Sequence, residues 1–261
     1  MAEFTAYEPG TPCWVDLAST DLAASKAFYA GLLGWEAQDI PSASAGGYGF
    51  FRLRGKLVAG YGPTMAPGQR SAWATYIQAD DADKTAEAVR GAGGAVVAGP
   101  MDLPAGAGRI AVCTDPEGAF FSVFQPGRHT GAQLANEPGA FCWSELDSRD
   151  IAAAQAFYPE VFGWTVRGGA VEGFESYEYY EWLRGGTASI GGLMPMPTGV
   201  PAMVPAFWLT YFAVTDTDAA VATAHELGAT GVLAEPIDSP AGRLAVLSGP
   251  AQEVFAVITL G

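Results

Sequence analysis

Hydrophobic and polar positions alternate over residues 13–18, a pattern typical of a short, half-buried strand. Asp21 then precedes a helical stretch that carries a Phe-Tyr pair, and Gly34 stands where that helix is expected to end. Strand-like runs punctuated by glycine follow, and the same order restarts at residue 73. The pattern therefore predicts units in which one strand and one helix precede three further strands.

The whole arrangement occurs twice along the chain. Residues 13–35 and 142–164 align without a gap and are identical at 12 of 23 positions. A repeat of this length indicates two copies of one domain. Pro159 breaks the symmetry, because a proline inside the third helix is expected to kink or split it. We expect four units, at about 12–64, 72–126, 140–196 and 206–260, in two domains that span residues 1–128 and 129–261.

Composition and charge narrow the classes of partner. Thirteen basic and 28 acidic side chains give a net charge of −15, which argues against a nucleic-acid partner. No apolar run is long enough for a membrane span, and the first ten residues lack the features of a signal peptide. The three cysteines include Cys13 and Cys142 at equivalent places in the repeat, which favours a reducing compartment over a disulfide framework. We expect a cytoplasmic monomer or homodimer that binds a small molecule and no membrane.

The repeated elements resemble a known superfamily. A strand followed by D-L-x-x-S/A-x-x-F-Y and G-W, with D-P-x-G before a last strand, is similar to the vicinal oxygen chelate superfamily. Its members include glyoxalase I, extradiol dioxygenases and bleomycin-resistance proteins, and the length resembles that of tandem-domain actinobacterial members. The resemblance implies an α+β fold in which pairs of βαβββ units curl into eight-stranded cups with helices outside. The first unit is expected to pair with the second or, by exchange, with the fourth.

Enzymes of this superfamily hold a divalent metal with His, Glu or Gln side chains inside the cup. The resemblance places those positions on residues that are poor metal ligands: Trp14, Ala74, Ser122 and the vicinity of Tyr61 in the first half, and Trp143, Leu209, Ala256 and the vicinity of Leu193 in the second. The two histidines, His129 and His225, fall in the linker and near a helix end. We therefore expect no metal and no other cofactor, which argues against glyoxalase I or dioxygenase chemistry as the first interpretation.

Alternation along the strands predicts what lines the cups instead. If Trp14 faces inward, Asp16 shares its face, and Tyr76 and Gln78 join them from the next unit. The matching residues of the second half are Trp143, Glu145 and Tyr211. Arg109 and Arg243 recur in the two GR-x-A-V strands and are candidates either for the ligand or for pairing with the cup carboxylates. The two tryptophans are alternatively core residues.

Two classes of function remain open. The first is a non-catalytic binder that sequesters a small hydrophobic or aromatic metabolite, for resistance or in secondary metabolism. The second is a metal-free enzyme that uses Asp16 or Glu145 as general base, because burial among aromatic rings raises a carboxyl pKa towards neutrality. A metal-dependent lyase or dioxygenase with atypical ligands is a third interpretation. Because the second cup has Leu209 in place of Ala74, we expect it to be tighter and the first to suit a sizeable ligand.

Overall fold

The computed structural model describes residues 3–41, 45–170 and 178–261, and these ranges hold sixteen strands and four α-helices. The first half contains β1 (Pro12–Ser19), α1 (Leu22–Leu33), β2 (Glu36–Asp39), β3 (Gly49–Leu53), β4 (Lys56–Pro63), β5 (Ala72–Gln78), α2 (Ala82–Gly91), β6 (Ala95–Asp102), β7 (Gly108–Thr114) and β8 (Phe120–Pro126).

The second half repeats this order. It contains β9 (Phe141–Ser148), α3 (Ile151–Phe162), β10 (Thr165–Ala170), β11 (Glu178–Arg184), β12 (Ala188–Pro195), β13 (Phe207–Ala213), α4 (Thr217–Glu226), β14 (Gly231–Ser239), β15 (Gly242–Ser248) and β16 (Val254–Leu260). The predicted α+β class and the four βαβββ units are confirmed.

Each half forms one eight-stranded mixed sheet. The first sheet runs β2-β3-β4-β1-β5-β8-β7-β6 and the second runs β10-β11-β12-β9-β13-β16-β15-β14. β1 pairs with β4 in parallel and with β5 in antiparallel, and β9 makes the same pairings with β12 and β13. The first unit therefore shares its sheet with the second, and not with the fourth.

Matching caps begin and end the two Phe-Tyr helices. The Asp21 carboxylate accepts a hydrogen bond from the Ala24 amide at 3.0 Å, and Gly34 ends α1 in the left-handed conformation with φ 72°. Asp150 and Gly163 act in the same way on α3. The predicted split at Pro159 is wrong: α3 has twelve residues, like α1, and the Gly163 amide bonds the Pro159 carbonyl. A proline removes only its own amide donor, and Phe157 and Tyr158 just before it are packed in a core, so the helix continues to Phe162.

The convex faces of the two sheets lie back to back, and their helices pack between the halves. One hydrophobic core joins α1 residues Phe28 and Tyr29 to Phe255 of the opposite half. A second core joins Phe157 and Tyr158 of α3 to α2 and β8. The helices thus lie outside each cup, as predicted, but each core is shared between a unit of one half and a unit of the other. The concave faces of the two cups consequently face away from each other.

A buried tyrosine of each Phe-Tyr pair connects the two halves. The Tyr29 hydroxyl donates to Glu253 at 3.0 Å and accepts from the Trp73 indole at 2.9 Å. In the other core, the Tyr158 hydroxyl donates to Asp115 at 3.1 Å and accepts from the Trp208 indole at 2.9 Å. Tyr29 and Tyr158 are both 0% exposed, so each hydroxyl has a donor and an acceptor partner in an environment without water.

Residues 127–133, which the sequence places in or beside the linker, pack onto the first half. The amides of His129, Ala132 and Gln133 donate to the carbonyls of Ala107, Cys13 and Leu57 at 2.7–3.0 Å. The Tyr7 hydroxyl donates to the Ala132 carbonyl at 2.7 Å. We call this stretch the covering segment.

Replacing Tyr29 with Phe tests the contact between the halves. The substitution removes the partner of a buried carboxylate and of a buried indole, so we expect a loss of about 1–3 kcal/mol in the free energy of unfolding, measured by urea denaturation. Tyr180→Phe is the matched control, because the Tyr180 hydroxyl bonds Glu178 at the surface. Equal losses in the two variants would contradict the assignment.

Candidate ligand-binding site

The carboxylate of Asp16 is the centre of the first cup. It lies on β1 and accepts hydrogen bonds from the Trp14 indole at 2.7 Å, the Tyr48 hydroxyl at 2.8 Å and the Tyr76 hydroxyl at 2.8 Å. Burial raises the pKa of Asp16 above its usual range, and the three side-chain donors act against that rise. The two phenols hold the Asp16 carboxylate in one orientation, and their hydrogen bonds favour its ionised form.

A glycine makes room for this cluster. Gly60 lies opposite Asp16 in the β1–β4 register, and a Cβ at this position would overlap the Asp16 carboxylate and the Tyr48 hydroxyl. Gly192 has the same relation to the Tyr179 hydroxyl in the second cup. The position expected near Tyr61 and Leu193 therefore falls one residue earlier, on Gly60 and Gly192.

Tyr61 and Leu193 instead pack in the two cores beneath the helices. Because side chains on a strand alternate between faces, a shift of one residue exchanges the cup for the core.

Trp14 positions Asp16 and presents no open ring face. Its side chain is 2% exposed, and the His129 ring of the covering segment packs edge-on against it at 4.4 Å between centroids. Burial lowers the pKa of His129 to about 4, so the imidazole is neutral at physiological pH. The interpretation of Trp14 as a core residue fits the structure better than that of a contact surface for ligand.

The other end of the first cup has a floor of small residues. Ala18 on β1, Gly62 on β4 and Ala74 on β5 are partly exposed there, as are Asp16 and Tyr76. Phe120 begins β8, two residues before the Ser122 that pairs with Tyr76, and it is 55% exposed. A flat group that lies on this floor would reach the Asp16 carboxylate from above.

Two cavities lie away from the carboxylates. One of about 250 Å³ lies at the covered end of the first cup, lined by Phe50, Leu57 and His129 among others, and it does not reach Asp16. Another of about 300 Å³ lies between α1 and α4, outside both cups.

The second cup repeats the cluster with one change in its connections. Tyr211 donates to the Glu145 carboxylate at 2.7 Å, and Tyr179 also bonds Glu145. The Trp143 indole donates to the Tyr179 hydroxyl at 2.9 Å and not to the carboxylate, in contrast to Trp14. Glu145 is one methylene longer than Asp16, which moves its oxygens away from the strand and from the indole. Burial raises the pKa of Glu145, against these hydrogen bonds.

A second carboxylate accompanies Glu145. Asp147 lies two residues along β9 on the same face, where the first cup has Ala18, and it is 3% exposed. Burial and the charge on Glu145 together raise the pKa of Asp147 to about 8. One of its oxygens, Oδ1, has no hydrogen-bond partner among the residues that the structure describes.

The second cup is also the more filled of the two. Leu209, which replaces Ala74, is 4% exposed, and Met194 stands where the first cup has Gly62. Trp143 is partly exposed, unlike Trp14. These substitutions add side-chain volume to the second cup, and that it is the tighter of the two stays a prediction.

Arg109 and Arg243 lie outside the cups, which corrects both roles considered for them. Arg109 pairs with Asp83 of α2 at 2.7 Å and with Asp102 of β6 at 2.8 Å. Arg243 makes the equivalent pairs with Asp218 and Asp238. Residues two apart on a strand share a face. Ala111 and Ala245 lie in the cores beneath the helices, so Arg109 and Arg243 lie on that same side of their sheets.

Gln78 lies at the end of β5 and is 5% exposed. Its side-chain oxygen finds no hydrogen-bond donor in the described ranges, and its backbone groups bond to Gly10 and Thr11. The structure does not bring Gln78 into the hydrogen-bonded cluster of Asp16.

Tyr48, Tyr179 and Asp147 were not predicted as site residues. Tyr48 precedes β3 and Tyr179 lies in β11, at equivalent places relative to Gly60 and Gly192. The sequence does contain a tyrosine in each of the runs GYGFF and EYYEW. The two tyrosines are not at the spacing that relates β1 to β9, so the repeat did not align them. Asp147 was visible as the one acidic residue that β9 adds to the sequence of β1.

Sequence comparison gives the family. Residues 13–123 match the profile of the glyoxalase/bleomycin resistance protein/dioxygenase superfamily, and residues 143–258 match that of a glyoxalase-like domain. The chain therefore belongs to this superfamily, with two of its domains in tandem.

Two relatives span nearly the whole chain. CFP32 of Mycobacterium tuberculosis, named as a glyoxylase, is 41% identical over 266 residues, which cover 99% of this chain and 98% of that protein. The anthracycline biosynthesis protein DnrV of Streptomyces peucetius is 40% identical over 270 residues, which cover 98% and 95%.

Solved structures share the fold at low sequence identity. The Mn(II)-bound glyoxalase from Novosphingobium aromaticivorans superposes with a TM-score of 0.65 at 17% identity, over 96% of this chain and 82% of that one. The 2,3-dioxygenase LapB from Pseudomonas sp. KL28 superposes with a TM-score of 0.68 at 12% identity, over 98% and 94%. None of the helices in the described ranges is both long and apolar enough to cross a membrane.

The residues inside the cups do not suit the divalent metal that many members of this superfamily hold. The cup-facing positions are Trp14, Gly60, Ala74 and Ser122 in the first half and Trp143, Gly192, Leu209 and Ala256 in the second. These side chains supply no imidazole, thiolate or carboxylate, which are the usual ligands of transition metals. In the described part of the chain, no three His, Cys, Asp or Glu residues lie close enough to hold a metal ion. Asp16 already accepts hydrogen bonds from three side chains and from the Gly60 backbone.

Asp147→Asn is expected to change how stability depends on pH. The pKa of Asp147 is raised in the folded protein, so its favourable contribution is complete below about pH 4 and is lost as the pH rises towards 8. The free energy of unfolding of the variant, relative to that of the unmodified protein, should therefore increase by about 2–4 kcal/mol from pH 5 to pH 8, measured by urea denaturation. Asp80→Asn, at an exposed site, is the control. If the free energy of unfolding changes with pH in the same way in the unmodified protein and in the Asp147 variant, the pKa of Asp147 is not raised and the prediction is wrong.

Proposed function

We propose that this chain binds a small aromatic or hydrophobic metabolite in the first cup, and that it does so without a metal. The observation that carries the proposal is the Asp16 carboxylate, which two phenols and an indole orient and which remains partly exposed above a floor of small residues. Aromatic and apolar walls around a few polar groups are the usual composition of small-molecule sites.

The hydrogen-bond count at Asp16 supports one further donor. Oδ1 accepts from the side chains of Trp14 and Tyr48, Oδ2 accepts from the Tyr76 hydroxyl, and the Gly60 amide adds a backbone bond to the carboxylate. A carboxylate oxygen accepts about two hydrogen bonds in well-formed geometry and can share a third, and the partly exposed side of Asp16 is where a hydroxyl or N–H group of a ligand would add one. The ligand class is therefore a flat molecule with a donor group near one edge.

The shape of the floor supports a sizeable ring system. The side chains of Ala18, Gly62 and Ala74 are small, so a planar group can lie flat across the strands. Phe120, at the start of β8, is exposed and offers a further aromatic contact. The name of the relative DnrV, an anthracycline biosynthesis protein, favours a polycyclic aromatic metabolite and a place in secondary metabolism. The net charge of −15 supports a small-molecule partner over nucleic acid.

A second function is favoured by the electrostatics of the same carboxylate. Burial raises the pKa of Asp16, and the residue stays partly exposed, as a general base requires. In that case the chain is a metal-free enzyme, and Asp16 removes a proton from the hydroxyl, N–H or activated C–H group that lies against its carboxylate. Glu145 is the equivalent candidate in the second cup.

Filling the first cup tests the location of the site. Ala74→Leu copies the residue of the second cup and should weaken binding of an aromatic ligand at least tenfold, because overpacking a contact surface costs about 1–3 kcal/mol. Binding is followed by quenching of tryptophan fluorescence with a panel that includes an anthracycline, a naphthoquinone and a flavonoid. Leu209→Ala makes the reciprocal change in the second cup and should leave these affinities unchanged. The reverse pattern would place the ligand in the second cup, and no binding by any panel compound would contradict the proposal.

Asp16→Asn separates the two functions. The amide preserves the shape of the side chain and removes its basicity, so a binder of a neutral ligand should keep its affinity to within about a few-fold. If Asp16 is a general base, turnover should fall by about 10²-fold or more while affinity is retained. The measurements are affinity by fluorescence and product formation by chromatography, on the panel compound that binds best.

A further inference from the structure

The second cup contains an acidic pair that the first cup lacks. Glu145 and Asp147 project from the same face of β9, two residues apart, and are 4% and 3% exposed. The equivalent positions of β1 hold Asp16 and Ala18, so only the second half places two carboxylates side by side. The pair is part of the cup wall and belongs to neither of the buried cores between the halves.

The two carboxylates are satisfied to different extents. Glu145 accepts from Tyr211 and Tyr179, whereas Oδ1 of Asp147 has no donor partner in the part of the chain that the structure describes. A buried carboxylate oxygen without a donor is costly, and adjacent carboxylates add repulsion when both are ionised. A cationic donor placed between them would relieve both costs at once.

The surroundings of the pair define the rest of the ligand. Phe207 and Met194 are the cross-strand neighbours of Asp147 on either side, and both are partly exposed. Trp143, Leu244 and Val246 are partly exposed around the same cup. Leu209 is buried and fills the centre, which leaves room for a compact group and not for a large ring system. A cation that lies between carboxylates and has an apolar body would satisfy both parts of this surface.

We propose that the second cup is a separate site for a small organic ammonium, with the nitrogen between Glu145 and Asp147 and a single ring or short aliphatic body against Phe207 and Trp143. A hard metal cation is a poorer match, because Ca²⁺ requires six to eight oxygen ligands and the phenols of Tyr211 and Tyr179 already serve Glu145. The site does not depend on what the first cup binds.

Three probes that share a ring and differ in charge test this proposal: benzylamine, benzyl alcohol and benzoate. Binding is measured by isothermal titration calorimetry and, with 5-fluorotryptophan incorporated, by the ¹⁹F signal of Trp143. We expect benzylamine to bind at least about tenfold more tightly than benzyl alcohol, and benzoate not to bind. Trp143 should be the tryptophan whose signal moves.

Asp147→Ala, which copies Ala18 of the first cup, should abolish the preference for the amine, and the isosteric Asp147→Asn should reduce it at least about tenfold. Asp80→Asn controls for the change in net charge and should leave the preference intact. The proposal is overturned if the amine and the alcohol bind equally, if the preference survives in both Asp147 variants, or if none of the probes binds. Because these probes are read at Trp143, failure here leaves the first-cup proposal standing, which depends on the response to Ala74→Leu.

Discussion

The buried hydroxyls of Tyr29 and Tyr158 are the contacts on which the arrangement of the two halves depends. Each donates to a carboxylate in the opposite half and accepts from an indole, within a core from which water is excluded. These bonds fix the convex faces against each other, and the aromatic rings around them supply the apolar contact. The cups consequently face outward in opposite directions, each free to change its lining without disturbing a core.

That freedom explains how one repeated scaffold carries two different sites. Both cups keep an indole, an acid, two phenols and a glycine that makes room for them. Besides the longer acid, three substitutions change the floor of the cup: Ala18, Gly62 and Ala74 in the first correspond to Asp147, Met194 and Leu209 in the second. The first cup thereby has a floor of small residues beside one carboxylate. The second cup has bulkier side chains and a second carboxylate.

The sequence allowed the units, the caps and the faces of β1 and β5 to be predicted, because these depend on periodicity and on residues close along the chain. It did not reveal that Tyr48 completes the Asp16 cluster, since that contact depends on the register between β1, β4 and the strand beyond them. The one-residue error at Tyr61 has the same origin. Arg109 was placed in a cup because its strand was recognised but its face was not. The cover over Trp14 was missed because residues 127–133 have the composition of a linker and contact the sheet through backbone bonds.

We propose that acid–phenol clusters stand in these cups in place of a metal. Metal content, measured by mass spectrometry on protein purified without chelator and again after incubation with Mn, Fe, Ni and Zn salts, tests it most directly. The account predicts far less than one tightly held metal ion per chain in both preparations, because the cup-facing positions offer no imidazole, thiolate or free pair of carboxylates with a third ligand. One ion per cup, retained through gel filtration, would contradict it.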